Sequence, residues 1–143
     1  GGRFGADLEY IARETGLDMR EIVRRHISRE YPINMIGFLP GFPYLSGMDE
    51  TIAVPRLENP RELIPAGSVG IGGKQTGVYP IASPGGWRLI GRTPVRLYDP
   101  HRNPPVLYTA GDRIRFYPVS EQEYTRIEAE VAADSYIVKT EEV

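Results

Sequence analysis

The glycine-rich run Gly67–Gly77, the histidines His26 and His101, and the serines Ser46, Ser68 and Ser83 are the groups here whose types and spacing invite a chemical reading. The glycine run fails as a phosphate loop. A Walker A motif needs glycine five residues before the Gly73-Lys74 pair, where Ser68 stands, and Ser or Thr after the lysine, where Gln75 stands. The dinucleotide pattern fails too, because Gly70-Ile71-Gly72 would need glycine at position 75. These glycines are therefore expected to serve tight turns and close strand approach. Ser68 is one residue out of register with a nucleophile elbow, and Ser46 and Ser83 lack flanking glycines. With two histidines and no cysteine, a thiolate zinc site or cysteine nucleophile is impossible and no metal site is expected. His26 lies on an apolar helical face, where packing is the ordinary role, and His101 sits in a proline-rich turn.

The segment Gly37-Phe38-Leu39-Pro40-Gly41-Phe42-Pro43-Tyr44-Leu45 is the most distinctive. Its prolines argue against a helix or a central strand, so it is expected to be a rigid irregular loop. Phe38, Pro40, Phe42 and Tyr44 then have two readings that stay open: rings folded into the core, or a preorganised apolar surface for a peptide or partner.

The elements that must position these groups follow from periodicity. Asp7 and Asp18 are placed to cap two short helices, the first stopped at Gly16 and the second with Glu21 in the capping-box position. Met19, Ile22, Val23, His26 and Ile27 share one face of the second. From Tyr31 short β-prone stretches recur, around 33–35, 54, 69–71, 78–81, 87–90, 95–98, 106–108 and 114–119, each bounded by Gly, Pro, Asp or Asn. Ser120 opens a last helix with Glu123 three residues on, and 135–139 is expected to add an edge strand. The division is a helical linker over residues 1–30 and a mainly-β domain with a C-terminal helix over 31–143.

Composition narrows the partners. The 143 residues carry a net charge of −2, which argues against a nucleic-acid footprint. No 18-residue apolar run is visible, so no membrane partner is expected, and the absence of cysteine fits the cytoplasm as the expected compartment. Only Lys74 and Lys139 among the 17 basic residues are lysines, and the arginine bias hints at planar, bidentate contacts.

Several motifs occur in one order: 37–45, Val54-Pro55-Arg56, Pro65-Ala66-Gly67-Ser68-Val69, Gln75-Thr76-Gly77-Val78-Tyr79-Pro80, Ser83-Pro84-Gly85-Gly86-Trp87 and Ile90-Gly91-Arg92-Thr93-Pro94. Over residues 4–119 that order resembles the family of the sporulation histidine-kinase inhibitor and the 5-oxoprolinase B subunit, once described as allophanate hydrolase subunit 1. The resemblance implies a cyclophilin-like closed β-barrel with two short N-terminal helices and one C-terminal helix, preceded in the family by a smaller α/β domain. It implies a non-autonomous subunit of a complex that uses ATP, bound elsewhere in that complex, to hydrolyse 5-oxo-L-proline to L-glutamate with sister 5-oxoprolinase A and C subunits. Its alternative is an inhibitor that binds a histidine-kinase dimerisation domain and blocks autophosphorylation. No catalytic residue is assigned; His26, Phe38, Pro40, Phe42, Tyr44, Gln75, Tyr79 and Arg92 are the expected substrate- or partner-binding residues. The cyclophilin-like fold raises prolyl isomerisation, but no matching active-site motif is present. An amidase acting alone would need an activated nucleophile, commonly Ser with Lys, and the two lysines stand outside any such pattern.

Overall fold

The computed structural model describes residues 2–141. Helix α1 (Leu8–Thr15) ends at Gly16, whose φ of +75° lets its N–H return to the Ala12 carbonyl. Helix α2 (Met19–Ile27) starts where the Asp18 carboxylate accepts from the Arg20 N–H at 2.8 Å. Two capping expectations are corrected. Asp7 makes no side-chain cap, because its carboxylate is used across the fold, and Glu21 pairs forward with Arg24 and Arg25. Leu8, Ile11, Ile22 and His26 form the buried faces of α1 and α2, while Met19 stays exposed.

The strands are β1 (Glu30–Ile36), β2 (Pro43–Leu45), β3 (Arg61–Ile64), β4 (Ser68–Gly72), β5 (Gln75–Val78), β6 (Ser83–Gly85), β7 (Arg88–Arg92) and β8 (Arg113–Arg115); α3 (Glu121–Ala132) follows. Six strands pair antiparallel in the order β7-β4-β5-β2-β1-β8, and β3 pairs with β6 in a separate ribbon. The mainly-β architecture with two leading helices and one trailing helix is thus observed, but the sheet is open rather than a closed barrel. Its edges are β7 and β8, and no sheet pairing joins them among the described residues. The chain between them contains Pro94, Pro100, Pro104 and Pro105, which have no N–H to donate, and only the Tyr98–Val106 bridge forms there.

Two further expectations change. Residues 43–45 are a central strand despite Pro43, because Pro43 is the first residue of β2, opposite Ile36, where its missing donor is tolerated. Residues 135–139 form no strand; the Ser135 N–H instead closes on the Glu130 carbonyl. Ser120 caps α3 as expected, accepting from the Glu123 N–H at 3.1 Å.

The glycine-rich run is a β-hairpin. Gly72 pairs with Gln75 across the two-residue tip Gly73-Lys74, and Gly73 has φ +63°, a conformation that suits glycine. One core cluster gathers Ile11, Ile22, Tyr31, Ile33, Leu45, Ile52 and Ile71; a second is aromatic and holds Phe42, Tyr79 and Trp87 with Ile64 and Leu89.

Candidate functional site: an aromatic cleft with an arginine at its rim

Close backbone approach opens room for the aromatic cluster. A Cβ at Gly72 would lie 2.6 Å from Trp87 Cδ1, one at Gly70 would lie 3.1 Å from Trp87 Cβ, and one at Gly77 would meet Phe42 Cε1 at 3.0 Å. Gly85 similarly leaves space for the Tyr79 hydroxyl. With these side chains missing, Trp87 seats against β4 and Phe42 against β5. Phe42 is the hub: its ring centroid lies 4.9 Å from Tyr44, 5.2 Å from Tyr79 and 5.4 Å from Trp87, the latter two edge-on.

Above this floor lies a cleft of about 200 Å³ lined by Phe38, Phe42, Tyr44, Arg56, Leu57, Pro60, Tyr79 and Trp87, with Gly85 and Gly86 exposing backbone on its wall. Phe38 stands at the rim, 71% exposed, with its ring edge-on to Phe42 at 5.9 Å. Its φ of +68° is unfavourable for a bulky L-residue. Burial pushes the Tyr79 hydroxyl above its ordinary range, so it remains a neutral donor near neutral pH.

The expected site residues therefore divide. Phe38, Phe42, Tyr44 and Tyr79 meet in the cleft, and both readings of the 37–45 segment hold at once: Phe42 is core, Phe38 is surface. Pro40 is exposed and outside the lining, and Gln75 is exposed beside the hairpin tip. Arg92 belongs to another surface, its guanidinium 4.7 Å from the Phe4 ring centroid. Phe4 in turn stacks on Tyr124 of α3. His26 is 2% exposed and packed against Tyr31 and Phe116. Thr76 uses its single hydroxyl proton on the Gly70 carbonyl at 2.8 Å, so at 2.8 Å it accepts from His26 Nε2–H. Burial lowers the His26 pKa to about 4, and this neutral ring braces α2 against β5.

Arg56 and Trp87 join the cleft although their residue types alone did not single them out. Both lie inside the shared motifs, and the chain's single tryptophan was the signal that could have pointed to the cleft. Among the described residues no cluster of three or more His, Asp or Glu side chains could hold a metal, and no helix is long and apolar enough to cross a membrane.

Residues 1–108 match the family described as carboxyltransferase domain, subdomain C and D. The chain belongs to that family. It is 54% identical over 124 residues to the 5-oxoprolinase B subunit of Bacillus subtilis (strain 168), a match covering 87% of this chain and 52% of that protein. Against the 5-oxoprolinase B subunit of Escherichia coli O157:H7 the identity is 52% over 121 residues, covering 85% and 56%. A crystal structure of a conserved uncharacterized protein from Pyrococcus horikoshii superposes with TM-score 0.84 at 52% identity, covering 87% of this chain and 57% of that one. The Kluyveromyces lactis urea carboxylase superposes with TM-score 0.76 at 26% identity, covering 91% and 12%. The chain spans about half the length of the curated 5-oxoprolinase relatives it matches, so this family member corresponds to one portion of a longer relative.

Proposed function

We propose that this chain is part of a non-autonomous subunit of an ATP-dependent 5-oxoprolinase, which hydrolyses 5-oxo-L-proline to L-glutamate in the cytoplasm with sister A and C subunits. ATP belongs to the complex, and this chain contributes by docking and by presenting the cleft. The observation that carries the reading is convergence. Three motifs that resemble the 5-oxoprolinase family, at 37–45, 75–80 and 83–87, the first set apart from the other two by residues 46–74, bring their aromatic side chains to one cleft. Shared sequence that only shaped turns would have no reason to meet there.

Co-elution of the intact protein with the sister C subunit tests it, followed by an ATP-dependent 5-oxoproline hydrolysis assay in which the A subunit is also present. The expected result is a stable complex and turnover that requires this chain. Absence of both, with folded protein, refutes the proposal. A second reading, inhibition of a histidine kinase through its dimerisation domain, is supported by Phe38, a large apolar ring held outward at a strained φ. Nanomolar binding to an isolated dimerisation domain that is lost in Phe38→Ala would favour it.

A further inference from the structure

Among the described residues, Arg56 is the one cation lining the aromatic cleft. Its guanidinium lies 5.8 Å from the Trp87 ring centroid, and it takes part in none of the ion pairs among the described residues. The neighbouring Arg61 is different: its fork is closed on the Asp7 carboxylate at 2.8 and 2.9 Å. The backbone around Arg56 is fastened on both sides. Val54 bridges to Gly73, Arg88 Nε donates to the Pro55 carbonyl at 3.1 Å, and the Leu57 N–H donates to the Gly86 carbonyl at 2.6 Å. A guanidinium carried on an anchored backbone, with its donors unspent and an indole beside it, is placed to pair with a planar anion.

The cleft is small. Sites for drug-sized ligands enclose roughly 300–1,000 Å³, whereas this cleft encloses about 200 Å³. A compact ring is enough to fill it. Phe42, Tyr44, Trp87, Leu57 and Pro60 supply apolar walls, and the bare Gly85-Gly86 backbone supplies polar contacts. We propose that the cleft binds a small carboxylic acid with a compact, ring-sized body, the carboxylate paired with Arg56 and the body resting on Trp87 and Phe42. Arg56 is then a specificity-determining residue. The choice of 5-oxo-L-proline as that acid rests on the 5-oxoprolinase reading above; the preference for a small carboxylate does not.

Isothermal titration of the intact protein with cyclopentanecarboxylate, 5-oxo-L-proline and the carboxamide of each tests the proposal. Saturable binding of at least one acid is expected, weakened roughly tenfold or more by conversion to the carboxamide and by Arg56→Gln. Arg56→Lys should recover only part of the loss, since an ammonium cannot make the forked contact. Arg56 is an exposed side chain, so the variants should keep the wild-type circular dichroism spectrum and unfolding midpoint. No binding of either acid up to 20 mM, equal binding of acid and carboxamide, or an unchanged affinity in Arg56→Gln would each overturn it. Binding of cyclopentanecarboxylate that depends on Arg56, with no 5-oxoproline turnover by the assembled complex, would leave the carboxylate site standing and remove the 5-oxoprolinase reading. Turnover with the same KM and kcat in Arg56→Gln would do the reverse.

Discussion

Acidification should unfold this protein through His26, by an amount that its burial sets. The unfolded chain titrates this imidazole at about 6.5, and burial lowers the folded value to about 4. The unfolded state therefore takes up the proton first as pH falls. The His26 contribution to stability is complete above the unfolded pKa, is lost as pH drops from about 6.5 toward 4, and levels off below that. Linkage gives a loss of about 2 kcal/mol between pH 7 and pH 5, and about 3 kcal/mol by pH 4. The geometry explains why no partner rescues the charged ring. Nε2 already donates to Thr76, and Tyr31 and Phe116 pack against the imidazole with centroids 5.4 and 5.0 Å away. His26→Gln keeps an N–H donor at the Thr76 side and removes the titration. Urea unfolding of both proteins at pH 7, 6, 5 and 4 isolates the effect, because His101 and every carboxylate are common to the pair. The wild type should lose about 2 kcal/mol more than the variant by pH 5. Parallel stability curves, or a folded-state His26 titration midpoint near 6.5 by NMR, would refute the reasoning.

Packing sets the remaining expectations. Gly72→Ala places a methyl against the Trp87 indole and should cost about 1–3 kcal/mol in urea unfolding. Gly91→Ala, which meets nothing within 4 Å and needs no positive φ, should be neutral or stabilise by up to about 1 kcal/mol. Asp7→Asn forfeits the forked Arg61 contact while keeping an acceptor for the Leu89 N–H. The expected loss is about 2 kcal/mol, read by denaturant midpoint and shrinking in an Arg61→Leu background. Phe38→Ala should stay within about 0.5 kcal/mol of wild type by thermal melting, because the ring is largely exposed.

Local chemistry was legible where the partner of each group lies nearby in sequence. Asp18 and Ser120 were readable as caps, Gly16 as a stop, and 114–119 as a β stretch, of which the strand keeps only the start as Arg113–Arg115, since each depends on its immediate neighbours. The Gly73-Lys74 tip was equally open to reading once the phosphate-loop spacing failed. Asp7 was misread because its partners, Arg61 and Leu89, are 54 and 82 residues away. Pro43 was misread because tolerance of proline in a sheet depends on whether its missing N–H falls at a strand's start. Closure of the sheet was an expectation of resemblance, and the pairing ends instead at β7 and β8. At the cleft, the aromatic members were visible as types, but Arg56 could not be told from the other arginines until Asp7 was seen to occupy Arg61.

Trp87 is the single tryptophan of the 143 residues, 5% exposed, in the floor of the cleft. Its emission is consequently a local optical gauge rather than an average over the fold. A positive charge beside the indole and the wetting of the cleft both act on the excited state, so the spectrum should respond to events at Arg56 that leave the peptide backbone unmoved. Any divergence between indole emission and far-ultraviolet dichroism during unfolding would then time the opening of this corner against the loss of the sheet.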